Sequence, residues 1–265
     1  MLLHELPYRR HNHHDDSHKS AHGHPHGETL IDTKKTGRGK EIKIVRRVLD
    51  VNEAMAEQNR KRFQEKGIFV LNMMSSPGSG KTTTLVNTLN AIKDTLKCAV
   101  IVGDICTTND ADRLSDTGVP VVQVNTDEFG GDCHLTALVI ENAFSSLETD
   151  GLDMLIVENV GNLVCPAEFD IGEDARVVIL SVTEGEDKPL KYPLMFRECD
   201  IALLSKIDLL PYLEFDKEEA KKSILTIHPH MPIIEMSSKT GEGMPSWIDW
   251  LKKNVNAKKQ QATKE

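Results

Sequence analysis

The chain has no surplus of positive charge: 32 Lys and Arg stand against 41 Asp and Glu, a formal net charge of −9 at pH 7. A nucleic-acid-binding surface needs a basic stripe to neutralise phosphates, so composition argues against that class of partner. No run approaches the roughly 20 apolar residues that a helix needs to cross a bilayer. The polar N-terminus lacks the apolar core of a signal peptide. The five cysteines are odd in number and widely spaced, and do not read as a disulfide framework. We therefore expect reduced thiols in a cytoplasmic protein with no membrane contact. No cysteine precedes Cys98, and no internal repeat is visible.

What the chain does contain falls into four stretches. Residues 1–40 are polar, rich in His, Gly, Lys and Asp, and cannot bury a core; they read as disordered. Residues 41–66 read as a helical segment in which Ile44, Val45, Val48, Leu49 and Ala54 make a partly apolar face and Gly67 a stop signal. Across residues 67–256, apolar strands near 68–75, 98–103, 120–125, 153–160, 176–182, 200–205 and 232–237 alternate with helical patterns. That alternation predicts an α/β fold, a mostly parallel sheet of about seven strands with helices on both faces, with ligands at the carboxyl ends of the strands. Residues 257–265 read as a frayed end.

The sharpest motif lies at the end of the first strand. An apolar run ends in Ser75-Ser76-Pro77-Gly78-Ser79-Gly80-Lys81-Thr82-Thr83, followed by Leu85, Leu89, Ile92 and Leu96 at helical spacing. Strand, Gly-rich turn and helix are the context of a phosphate-binding loop, in which backbone N–H groups cradle the β-phosphate. Lys81 would bridge β and γ oxygens and Thr82 would put a hydroxyl on Mg²⁺. The general pattern wants Gly where this chain has Ser75, but Gly78 and Gly80 cover the tightest approach.

The base is indicated further on. Ser205-Lys206-Ile207-Asp208 closes an apolar strand, and the Asp208 carboxylate can accept from both N1–H and the exocyclic amine of guanine. Adenine would leave that charge unpaired, at a cost of about 1–3 kcal/mol or more. Lys206 would lie along the base, and Ser237-Ser238-Lys239, at the end of the next strand, would contact the guanine carbonyl. GTP and GDP are the expected nucleotides. Between these motifs, Asp104 ends a strand and Glu158 opens Glu-x-x-Gly; a carboxylate there holds Mg²⁺, and the Gly161 N–H can sense the γ-phosphate. Lys81, Asp104 and Glu158 are thus the expected hydrolytic residues, the lesser alternative for Asp104 being a cap before the Asn109–Gly118 segment. With no identifiable catalytic Gln or arginine finger, slow intrinsic turnover is expected.

Two features point to transition metals. Of the 11 histidines, His4, His11, His13, His14, His18, His22, His24 and His26 lie in the N-terminal tail, where a flexible chain can wrap several imidazoles around Ni²⁺ weakly. Cys133-His134 opens a helical pattern running from His134 to Ile140, and Cys165 follows Glu158 on one loop. A helix start favours thiolate, but both cysteines also suit the alternative of small buried hydrophobes. Three such ligands are one short of a closed tetrahedral site. Cys98 and Cys199 begin apolar strands and read as core, whereas Cys106 is undecided.

Taken together, Asn72 to Thr82, Gly131-Asp132-Cys133-His134-Leu135, Glu158-Asn159-Val160-Gly161-Asn162-Leu163-Val164-Cys165-Pro166 and Glu184 to Pro193 closely resemble the nickel-insertion GTPases of NiFe-hydrogenase maturation, the HypB family of SIMIBI-class P-loop GTPases. The resemblance covers about residues 41–255, and that family's loop also carries Ser at the position of Ser75. It implies a Ni²⁺ or Zn²⁺ site at Cys133, His134 and Cys165, shared across a GTP-dependent homodimer. It also implies two partners, the small nickel metallochaperone HypA and the hydrogenase large subunit. The Cys-x-x-Cys-Gly-Cys nickel motif that some members carry at the N-terminus is absent; the His-rich tail resembles that of other members and suits multi-ion storage. Two other readings remain: a nickel store in which the tail is the function, and a urease-type nickel GTPase. The latter would be expected to show Cys-Pro-His, whereas Cys165-Pro166 is followed by Ala167.

Overall fold

In the computed structural model, seven segments are strands: β1 Phe69–Ser75, β2 Cys98–Asp104, β3 Val121–Asn125, β4 Met154–Glu158, β5 Ala175–Ser181, β6 Ile201–Ser205 and β7 Ile233–Glu235. The structure describes residues 38–104, 109–125 and 133–262, with the side chains of residues 38–47, 104 and 109 outside that description. The expectations for the His-rich tail, for Cys106 and for the Asp104 carboxylate therefore fall outside the described residues. The strands form one sheet in the order β3-β2-β4-β1-β5-β6-β7, every pairing parallel. Each strand lies within a few residues of its expected position.

The reason β1 sits at the centre is written in its composition. Phe-Val-Leu-Asn-Met-Met-Ser has no exposed position, as a strand covered on both faces requires. Alternate side chains serve opposite layers. Phe69, Leu71 and Met73 pack with Leu85, Leu89 and Ile92 of α2 (Lys81–Ile92) and with Trp247, Leu251 and Val255 of α9 (Met244–Ala262). On the other face, Val70 joins Phe63 of α1 (Arg38–Glu65) and Ile140 and Phe144 of α4 (Ala137–Ser145). Met74 meets the layer of α7 (Pro193–Glu198) and α8 (Lys217–Ile227). Short helices α3 (Asn109–Ser115), α5 (Cys165–Glu168) and α6 (Lys188–Lys191) complete the connections.

Three local expectations are corrected. The helix α1 ends where Gly67 was read as a stop: Gly67, at φ 65°, donates its N–H to Gln64 O and Ile68 donates to Phe63 O. That paired closure needs a left-handed residue. Its buried face, however, is Asn52, Ala56, Asn59 and Phe63, while Val48 is 54% exposed and Ala54 is exposed. The two asparagines are usable inside because their amides are hydrogen-bonded there: Asn59 donates to Ala137 O and Ile171 O, and Asn52 donates to Asp170 O and accepts from Ala137 N. Helix α4 starts at Ala137 rather than at His134, because the Thr136 hydroxyl caps it by accepting from Val139 N. The C-terminal stretch is packed rather than frayed: α9 continues to Ala262, with Lys258 buried and 2.6 Å from Asp174.

Candidate functional site

The carboxyl ends of β1, β4 and β6 converge on one cleft. The turn after β1 reaches α2 through Gly80, at φ 98°, a conformation that side chains with a Cβ rarely adopt. Inside the loop the Ser79 hydroxyl donates to Ser76 O, and the Lys81 ammonium donates to the Ser75 hydroxyl at 2.9 Å. Ser75, standing where the general pattern has glycine, thus serves the loop as a partner for Lys81. Pro77, Gly78, Gly80, Thr82, Glu158 and Gly161 line the phosphate end of the cleft.

Glu158 closes β4 beside the loop. Its Oε1 accepts from the Thr82 hydroxyl at 2.7 Å, while Oε2 is buried with no hydrogen-bond partner. Burial raises its carboxyl to about 7, with the Thr82 hydroxyl and Lys81 pulling the other way. A buried carboxylate oxygen in want of a partner, next to a threonine hydroxyl, is a donor set for a hard oxygen-seeking cation such as Mg²⁺. Gly161 lies against the phosphate loop, where a Cβ would stand 3.0 Å from Pro77 Cα.

The base end of the cleft is built from the turns after β6 and β7. Lys206 holds a left-handed backbone (φ 60°), and its ammonium reaches Gly78 O at 2.6 Å. Asp208 follows, on a short 3-10 helix (Ile207–Tyr212), and accepts from the Ser237 hydroxyl at 2.6 Å. Thr84 and Asn87 of α2 bind Ser238, so the serine loop is fastened to the phosphate-binding helix. Lys206, Asp208, Ser238 and Lys239 line one cavity that shares Gly80 and Thr83 with the phosphate end. The cleft therefore offers a cradle for phosphates at one end and a carboxylate acceptor for paired donors at the other.

Arg113 of α3 was not singled out in the sequence. Its guanidinium donates to the Thr83 hydroxyl at 2.9 Å and lines the phosphate end. No local pattern marks it, because only the α3·α2 packing brings it there.

The second cluster lies just past Gly161. The ligand atoms of Cys133, His134 and Cys165 all fall within 4.8 Å of one another, the only such His, Cys and carboxylate group among the described residues. The His134 ring stacks on Phe169, with centroids 3.8 Å apart. The two sulfurs are drawn together as a disulfide across Cα atoms 6.3 Å apart, where reduced thiols were expected throughout. A disulfide and a bound ion are alternatives, since ligation needs both sulfurs as thiolates. Cys133 and His134 precede α4 by several residues, so a helix dipole does not act on them as expected; Cys165 is the first residue of α5. Cys98 and Cys199 are buried core residues, burial pushing the Cys98 thiol up to about 12.

Comparison with known proteins agrees with this layout. Residues 69–235 match the family model described as CobW/HypB/UreG, nucleotide-binding domain. The hydrogenase maturation factor HypB of Escherichia coli strain K12 is 50% identical over 226 residues, covering 85% of this chain and 77% of that protein. The crystal structure of HypB from Helicobacter pylori in complex with nickel superposes with a TM-score of 0.73 at 41% identity, over 78% of this chain and 95% of that one. HypB from Archaeoglobus fulgidus gives 0.73 at 37% identity, over 78% and 99%. A parallel sheet with a phosphate loop, a carboxylate at the base end and these relatives together make the chain a member of the HypB family of hydrogenase maturation factors.

Proposed function

We propose that this chain is a GTPase that carries nickel to the large subunit of NiFe-hydrogenase, and that nucleotide state governs how tightly the ion is held. The observation that carries the reading is one loop: it leaves β4 at Glu158, passes Gly161 against the phosphate loop and ends at Cys165 in the Cys133–His134–Cys165 cluster. Gly78 to Thr83 hold the phosphates, and Lys206, Asp208 and Ser237 to Lys239 hold guanine. Thr82, Glu158 and Asp104 serve Mg²⁺, which neutralises charge on the β and γ oxygens when bound. Lys81 stabilises the same charge, and intrinsic turnover is expected to be slow.

Nickel is the cargo, taken at Cys133, His134 and Cys165; Zn²⁺ accepts the same ligands. Three ligands leave a place for a fourth from a second copy, which fits a GTP-dependent homodimer. The metallochaperone HypA would supply the ion. The tail histidines, His11 to His26, add weak capacity. A store built on that tail is the second reading.

The test is nickel binding by chains lacking residues 1–40, wild type and Cys165→Ala, with GDP and with a non-hydrolysable GTP analogue, dimer fraction recorded alongside. Nucleotide-dependent binding in the wild type, lost in Cys165→Ala, is expected. Nickel binding that disappears with the tail alone would hand the function to the store.

A further inference from the structure

We infer that Asn159 and Asn162 are positioning residues that transmit nucleotide state from the phosphate loop to the Cys133–His134 segment; the inference rests on the nucleotide-governed nickel site proposed above. The two side chains grip either end of the same tripeptide. Asn159, 1% exposed, accepts on Oδ1 from Leu135 N at 3.2 Å and from Val160 N at 2.9 Å. Asn162 donates from Nδ2 to Cys133 O at 3.4 Å and accepts on Oδ1 from Val164 N at 2.8 Å. Between them stands Gly161, packed so closely on Pro77 that a Cβ would stand 3.0 Å from Pro77 Cα. Whatever draws or releases Gly161 at the phosphates therefore acts between the two residues that hold the ends of the Cys133–Leu135 segment.

The two asparagines differ in what lies behind them. Asn159 donates from Nδ2 to Asn72 Oδ1 at 3.2 Å, and Asn72, fully buried on β1, donates to Glu173 at 3.1 Å. That chain ties Asn159 to the rigid centre of the sheet, so it is the fixed end. Among the described residues, Asn162 bonds only within the loop and to Cys133, so it is the moving end. Buried, saturated amide networks of this kind hold one geometry strongly, because each lost partner leaves a desolvated group behind.

Linkage supplies the readout. If nucleotide alters nickel affinity by some factor, that factor is the coupling, and a transmitting residue changes the factor rather than either affinity alone. The experiment uses the full chain, reduced, in nickel-buffered titrations with GDP or a non-hydrolysable GTP analogue, following thiolate-to-nickel charge-transfer absorbance. The tail has no cysteine, so this band does not report nickel held by the tail. Asn162→Ala and Asn162→Asp, the latter keeping the acceptor for Val164 N but losing the donor to Cys133 O, should bring the affinity ratio to within about twofold of unity. Asn162→Gln, which keeps the donor, should restore part of it. Melting temperatures and GTP-analogue affinity identify any variant that fails to fold, and Asn159→Ala serves as the second site. A ratio unchanged in both Asn162→Ala and Asn162→Asp would overturn the inference, as would an equal loss of nickel affinity with both nucleotides. A wild type that binds nickel equally with either nucleotide would instead overturn the coupled reading beneath it.

Discussion

Burial holds the Glu158 carboxyl at about 7 in the nucleotide-free protein, above its ordinary 4.5, with the Thr82 hydroxyl and Lys81 only partly opposing it. A folded pKa above the unfolded one supports the fold at low pH, and that support fades as pH rises through about 7. Glu158→Gln keeps an acceptor for Thr82 and removes the charge. It should therefore stabilise the nucleotide-free protein at pH 8 by on the order of 2 kcal/mol and much less at pH 5, measured by denaturant unfolding at each pH. If Glu158 serves Mg²⁺ as proposed, it does so as the carboxylate, so Mg²⁺ affinity should fall as pH drops below about 7. Asp208 is the residue proposed to set the base preference. In Asp208→Asn the amide cannot accept both guanine donors, and GTP affinity should drop roughly 100-fold or more in fluorescent-nucleotide titrations. Xanthosine triphosphate, which has a carbonyl where guanine has the amine, should lose far less. The Asp208 and Glu158 signals are legible in sequence because each sits at a strand end inside a short motif. Asn159 is not, since it occupies a variable position of Glu-x-x-Gly and its partners Leu135 and Asn72 are remote in the chain.

Elements show where local reading succeeds and where packing overrides it. Strand positions follow from continuous apolar runs, and the stop of α1 follows from Gly67. The inward face of α1 does not, because Asn52 and Asn59 look like solvent-facing residues until their buried carbonyl partners are known. Helix α9 is the other case: its polar, lysine-rich end suggests fraying, yet Lys258 pairs with Asp174 and Lys259 with Asp153 at the amino ends of the strands. Asp174 also accepts from Val70 N of β1. Truncation after Asn256 should cost about 1–3 kcal/mol of unfolding free energy by leaving Asp174 without its cation. Nucleotide affinity should remain within about twofold, because the lost contacts lie at the sheet end opposite the cleft.

For the whole molecule, the sheet order places β1 between β4 and β5, so the phosphate loop and Glu158 emerge side by side. No helix of the described residues is long and apolar enough to cross a membrane. The histidine tail and the Cys/His cluster propose two grades of nickel binding in one chain. Deleting residues 1–40 should lower the number of Ni²⁺ ions bound in equilibrium dialysis while sparing the tightest site, since the Cys133, His134 and Cys165 cluster proposed for it includes no tail residue.

The sequence by itself determined the parallel α/β sheet, the phosphate loop and the guanine-type strand ends, because each depends on residues within a few positions of one another. The family resemblance groups Cys133, His134 and Cys165, and the tertiary structure brings them together; it alone decided that Arg113 enters the phosphate end and that Asn159 and Asn162 reach the Cys133–Leu135 segment. Those meetings join segments far apart in the chain. Strand order and side-chain packing set them, and no local pattern along the chain carries that information.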